Sequence, residues 1–318
     1  MSDLTRTSSS DAAASASVAA PASAHASAAS APAASGQRRV ALEIAVTSLA
    51  GARTALAEGA DRVELCTALE IGGVTPSQGL TEAVVATGVP VHALVRARGG
   101  DFVYDEGDLV VMEREVRTLV AAGVAGVVVG ALRGDGSLDV DAVARLVSAA
   151  RDAAAARPAE LGGDRLEVTV HRAVDRAASP VDAVAALAAL GVDRVLTSGG
   201  ASRARDGLAS GVLPDMVAAA GGVEVMAGGG VRIDDIAALV DAGVAAVHLS
   251  ASTTATTAAA GTAVDGDGRS LVSLGSAGAT DAYAVTDASV VRAARAAVDA
   301  AVDGARDVAP RTPAPRTP

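Results

Sequence analysis

Four stretches share one pattern: GADRVEL at Gly59–Leu65, GVAGVVV at Gly123–Val129, GVDRVLT at Gly191–Thr197 and GVAAVHL at Gly243–Leu249. In each, a glycine suited to a left-handed helix cap leads within three residues into a short β-branched run. The same helix-to-strand joint used four times marks a chain built from repeated units. Working outward, eight strands are predicted. They are VALEIAV from Val40, RVELC from Arg62, VHALVR from Val91, GVVVG from Gly126, LEVTVH from Leu166, DRVLTS from Asp193, VEVMA from Val223 and AAVHLS from Ala245. Alanine-rich segments such as SLAGARTALAEG and PVDAVAALAALG fit helices between them. Eight β-then-α units with short links predict an α/β fold, a (βα)8 TIM barrel in a single domain. A doubly wound open sheet is the competing architecture. It would carry a glycine-rich fingerprint after the first strand, and VTSLAG is not one.

The flanks differ in composition. Residues 1–38 are almost entirely Ala, Ser, Thr and Pro and read as a disordered low-complexity arm, without the compact apolar core of a signal peptide. The barrel domain is expected over residues 39–303. Within it, residues 252–282 (Thr, Ala, Gly and Ser) read as a flexible loop, and residues 286–303 as a terminal helix capped at Thr286 or Asp287. Residues 304–318 read as a disordered tail. The net charge of −11 argues against nucleic acid as a partner. The apolar runs are too short or too interrupted for a membrane span. Cys66 is the sole cysteine, so no intrachain disulfide forms and a cytoplasmic location is expected.

Strand parity selects the candidate site. Glu43, Glu64, Arg96 and His171 each share a parity that, if inward, brings them together near the C-terminal mouth, where barrel sites are built. Two carboxylates, a guanidinium and an imidazole make a candidate catalytic cluster, or a self-neutralising ion-pair plug. Glu64 is the expected partner of Arg96. The stretch VPVHALVRARGGDFVY from Val89 to Tyr104 adds Arg98 and Asp101 after the third strand, and HRAVD adds Asp175 after the fifth. MAGGGV places Gly228, Gly229 and Gly230 after the seventh strand, and LSAS places Ser250 after the eighth. These loops are candidates for holding phosphate or another anion, or are simply tight turns. His92 and Met226 read as core, and the facing of His248 is undecided.

RVELCTALEIGGVTPSQGL, VRARGGDFVYDEGD, VVVGALRGDGSLD, VTVHRAVD, RVLTSGG, MAGGGV and VHLSA, in this order, resemble the CutC family, named for copper homeostasis. The resemblance implies a cytosolic barrel, a homo-oligomer (dimer or tetramer) and Cu(I) as partner, with Cys66 of the ELC motif as candidate copper ligand; the polar residues themselves point instead to a small anionic ligand. Ala45, Gly200 and Leu249 stand where the family often has further cysteines. Cu(I) favours two or three soft ligands, so Cys66 leaves a thin donor set. The resemblance implies no assigned enzymatic activity. The polar cluster keeps open a barrel enzyme or a binder of a small phosphorylated or carboxylate ligand.

Overall fold

The computed structural model describes residues 39–158, 165–256 and 282–308. Eight parallel strands close into a barrel: β1 (Ala41–Val46), β2 (Arg62–Leu65), β3 (Val91–Leu94), β4 (Gly126–Val129), β5 (Glu167–Val170), β6 (Arg194–Thr197), β7 (Glu224–Ala227) and β8 (Ala246–Leu249). Closure runs through β1 and β8, with Leu42 opposite Val247 and Glu43 opposite His248. Helices α1 (Leu49–Ala57), α2 (Gln78–Val85), α3 (Glu106–Ala121), α4 (Val140–Ala155) and α5 (Pro180–Leu187) follow the first five strands. Two short helices, α6 (Ala204–Ala209) and α7 (Val212–Ala219), follow β6, and α8 (Ile236–Asp241) follows β7.

Local chemistry accounts for the joints. The glycines of the four repeated stretches, Gly59, Gly123, Gly191 and Gly243, have φ of 89°, 93°, 70° and 102°, in the left-handed region that favours glycine. At the other helix ends, Ser48, Ser77, Asp105, Asp139 and Ser179 each accept a hydrogen bond from an amide of the first turn.

The main apolar core lies between strands and helices, and takes one parity of each strand, such as Leu42, Ile44, Val63 and Leu65. The other parity points inward. Its apolar members form two small clusters, Cys66 with Leu94 and Val128, and Leu196 with Met226 and Ala246. Its polar members include Glu43, Arg62, Glu64, His92, Thr169 and Arg194, all buried.

The C-terminal part departs from expectation. Ser252–Thr256 (β9) pairs antiparallel with Ala282–Thr286 (β10), so both ends of the expected loop are strand. Each run is too short to signal a strand alone, and its partner is distant in sequence. Residues 257–281 lie outside the described residues, as do the arm (1–38) and the end of the tail (309–318). Helix α9 (Ala288–Val308) begins after Asp287, whose carboxylate accepts from the Ser289 and Val290 amides at 2.8 and 3.4 Å. It continues into residues assigned to the tail. Its buried face carries Val291, Ala294 and Val298, and Arg295 reaches Asp61 at 2.9 Å, fixing the helix beside β2.

Candidate functional site

A cavity of about 540 Å³ opens at the C-terminal ends of the strands. Six of the predicted residues line it: Glu64, Arg96, His171, Gly229, Gly230 and Ser250. His248, Arg172 and Phe102 also line it.

On one wall, β8 and β2 present an imidazole and a carboxylate. His248 donates from Nδ1 to Glu43 Oε1 at 2.8 Å, and its Nε2 lies 3.8 Å from Glu64 Oε2. Burial pushes the Glu64 carboxyl up to about 7, with Glu43 adding repulsion and His248 opposing. Burial also works against charge on His248, but the Glu64 and Glu43 carboxylates prevail and hold its pKa above the usual value. The pair therefore retains a proton at neutral pH. Glu43 lies below the cavity. Burial disfavours its charge, yet Arg62, bonded at 2.5 Å, and His248 keep its carboxyl far below the usual range.

The opposite wall is built from β3 and β5. Among the described residues Arg96 has no carboxylate partner, contrary to expectation. Its guanidinium donates to the carbonyls of Ile71 and Gly73 at 3.0 and 2.9 Å and of Gly100 at 3.0 Å. The loops after β2 and β3 wrap it, so backbone dipoles compensate a charge that cannot be shed. Its Nε is buried, with no acceptor among the described residues. The His171 ring lies 4.8 Å from Phe102, whose face also meets Arg96 at 4.9 Å. Burial and the nearby Arg96 charge push His171 down to about 3, so the ring is neutral. Gly130 makes room for it: a Cβ there would stand 2.6 Å from the ring.

Asp175 does not face the cavity. It ties down the loop after β6, accepting from the Ser198 and Gly200 amides at 3.0 Å each, and holds Arg172 at 2.8 Å. Arg172 in turn lies flat on Gly229, where a Cβ would sit 2.7 Å from its guanidinium carbon. Gly228 gives its amide to Thr197 O at 2.9 Å and is absent from the cavity wall. The amides of Gly229 and Gly230 find no protein acceptor among the described residues. Arg98 and Asp101 pair with each other at 3.0 Å in the loop after β3, and Arg98 also holds Asp108. They brace that loop rather than line the site. Cys66 is fully buried, and burial with the Glu64 and Glu70 charges pushes its thiol up to about 12.

Glu64, Arg96 and His171 do not form the self-neutralising plug given as the alternative, but a layer of ion pairs built largely from other residues lies beneath them. Arg62 binds Glu43 and touches Met226 Sδ at 3.3 Å, while Arg194 binds Glu167 at 3.0 Å and Glu224 at 2.7 Å. Sequence reasoning underrated His248 and passed over Arg172. His248 shares the inward parity of Ala246, and Arg172 stands beside His171 in HRAVD, which were the available signals.

The CutC family profile matches residues 40–253. The chain belongs to the CutC family. The CutC family protein of Sinorhizobium medicae (strain WSM419) is 39% identical over 264 residues, covering 82% of this chain and 97% of that protein. That of Aliivibrio fischeri (strain MJ11) is 38% identical over 218 residues, covering 68% and 83%. A crystal structure of a CutC protein from Streptococcus agalactiae, provisionally named for copper homeostasis, superposes with a TM-score of 0.57 at 25% identity. It covers 66% of this chain and 98% of its own. No described helix is long and apolar enough to cross a membrane.

Proposed function

We propose that this CutC family member binds a small phosphorylated or carboxylate ligand at the C-terminal mouth of its barrel. The observation that carries the reading is the loop after β7: the amides of Gly229 and Gly230, without a protein acceptor among the described residues, line the cavity beside the Arg172 guanidinium. Free backbone amides and a guanidinium make a cradle for negative charge at the end where barrels commonly hold phosphate. A thermal-shift panel of sugar phosphates and 2-oxo acids tests it. Saturating ligand at about 100 times Kd should add about 2.7 kcal/mol of stability. Arg172→Gln should weaken that gain. No stabilisation of the wild type by any member would overturn the reading.

Copper handling is the second reading, favoured by family membership. The residues do not fit a Cu(I) centre. Cys66 is the sole thiol, sealed among Leu94 and Val128 and held protonated. Among the described residues, no group of three or more His, Cys, Asp or Glu could hold a metal ion. A chelator competition with reduced protein decides it: Cu(I) affinity tighter than micromolar that falls in Cys66→Ser would restore this reading. A cytoplasmic location and a homo-oligomer accompany either reading, supported by the family resemblance and by the free thiol.

A further inference from the structure

We propose that the ligand is a phosphate ester with a hydroxyl group close to its phosphate, and that Glu64 and His248 together recognise that hydroxyl. This rests on the binding reading above and adds to it the substrate class and the pair of residues that selects it.

The Glu64 side chain keeps 9% of its surface and that of His248 keeps 11%, and both lie on the cavity wall. Among the described residues the Glu64 carboxylate accepts no hydrogen bond, and His248 Nε2 has no partner at bonding distance. Neither is sealed in, as Arg96 Nε and His171 Nε2 are. Buried polar groups are nearly always matched, so an unmatched carboxylate in a cavity wall calls for a donor from whatever fills the cavity.

The spacing of the two groups selects that donor. Glu64 Oε2 and His248 Nε2 are 3.8 Å apart, too far to bond each other. A single oxygen between them can stand about 2.8 Å from each. The pair retains one proton, so one member donates and the other accepts. A hydroxyl serves either arrangement, because it donates and accepts at once. An ammonium could only donate, and a carbonyl could only accept. The ring is held for this contact: Nδ1 donates to Glu43 Oε1 at 2.8 Å, and Arg62 fixes Glu43 at 2.5 Å. Glu43 is thus a positioning residue.

The pair stands next to the anion cradle. A Cβ on Gly228 would meet His248 Cδ2, the ring carbon bonded to Nε2, at 3.4 Å. The free amides of Gly229 and Gly230 follow directly in the chain, with the Arg172 guanidinium against Gly229. Glu64, His248, the glycine loop and Arg172 therefore form one continuous arc. A phosphate in the cradle directs the carbons next to it toward Glu64. A second anionic group at that position would meet the Glu64 charge, whereas a hydroxyl would satisfy it. The arc favours one anionic end and a neutral hydroxylated neck, and the cavity of about 540 Å³ is in the size range of small-ligand sites.

Calorimetric titration of the full chain tests this with four probes: glycerol 3-phosphate, ribose 5-phosphate, n-propyl phosphate and inorganic phosphate. The wild type should bind at least one of the two hydroxylated esters about 10²-fold more tightly than n-propyl phosphate, which carries the same anionic head without a hydroxyl. Glu64→Leu, whose Tm reports an intact fold, should shrink that advantage to about threefold or less. Arg172→Gln should weaken all four. Equal wild-type affinity for n-propyl phosphate and both hydroxylated esters overturns the hydroxyl reading and leaves the binding reading standing. An undiminished advantage in Glu64→Leu overturns the assignment to Glu64. Absence of binding by all four probes, with stabilisation by a 2-oxo acid, overturns the phosphate class alone. Absence of both overturns the two readings together.

Discussion

The two walls of the cavity each carry a histidine, and the histidines behave oppositely. His248 sits between two carboxylates, which hold its pKa up. His171 sits against an arginine and an aromatic ring, in equal burial, and is driven down to about 3. Burial alone disfavours the imidazolium in both places, so the neighbours decide the sign. One wall therefore stores a proton and the other holds an imidazole that stays uncharged near neutrality.

The comparison breaks most severely at Arg96. Replacing it with Met should cost about 3 kcal/mol, because the buried Gly73 carbonyl would lose its donor, while those of exposed Ile71 and Gly100 can turn to water. Adding Glu64→Leu should not restore the loss. The two residues share no contact among the described interactions, so their effects should add within a few tenths of a kcal/mol. Urea unfolding of the two single variants and the double variant measures this. Recovery in the double variant would mean that Arg96 and Glu64 pair in solution and that the walls are not independent.

A smaller effect isolates the neutral wall. Gly130→Ala would place a methyl 2.6 Å from a carbon of the His171 ring, between β4 and β5. Either the ring leaves its rotamer or the strands spread, and overpacking of this kind costs about 1–3 kcal/mol. The expected readout is a lowered Tm together with loss of ligand-induced stabilisation, with the pH behaviour of the Glu64 wall unchanged. A Gly130→Ala protein of wild-type stability and binding would show that His171 has room to spare.

The barrel was legible in the chain because each of its rules is local. The glycine caps, the period-two strands and the serine and aspartate caps are each set within a few residues, and all pointed to one architecture. Inward parity is legible for the same reason, and it alone brings Glu64, Arg96 and His171 to the mouth. Their partners were not legible. Arg96 is matched by Ile71, Gly73 and Gly100 carbonyls, and a carbonyl has no sequence signature. Glu43 falls in the layer below the cavity because the stagger of the barrel sets Glu43 opposite Arg62, and stagger is a property of closure rather than of any strand. Arg98 and Asp101 were drawn toward the site by their neighbours in sequence, but the turn after β3 carries them outward. The β9–β10 pair was missed because each strand exists only through a partner about two dozen residues distant.

The opposite histidine environments also predict opposite pH slopes. Glu64 binds its proton more tightly folded than unfolded, so its contribution to stability is complete below about 4.5 and is lost as pH rises through about 7. His171 refuses a proton that the unfolded chain accepts, so its contribution is complete above about 6.5 and is lost as pH falls toward about 3. Relative to wild type, Glu64→Gln should therefore gain ground between pH 5 and pH 8, and His171→Asn should gain ground between pH 8 and pH 5. Urea midpoints at the two pH values suffice. Slopes of the same sign in both variants would remove the distinction between the walls.

The smallest expected effect falls on the residue most tied to the family's name. Cys66 shares the inward parity of Glu64 but packs with Leu94 and Val128, and Gly73 closes over it: a Cβ there would stand 3.4 Å from Sγ. It behaves as a small apolar residue whose thiol stays protonated at any physiological pH. Cys66→Ala should cost only about 1 kcal/mol, the ordinary loss for trimming one buried atom. Ligand-induced stabilisation should be unchanged, because Cys66 contributes nothing to the cavity wall. Thiol-reactive probes should label native protein slowly and unfolded protein fast. Rapid labelling of the native state would mean that the Gly73 cover opens, exposing a soft ligand beside Glu64, and it would move the thiol from the core into the chemistry of the mouth.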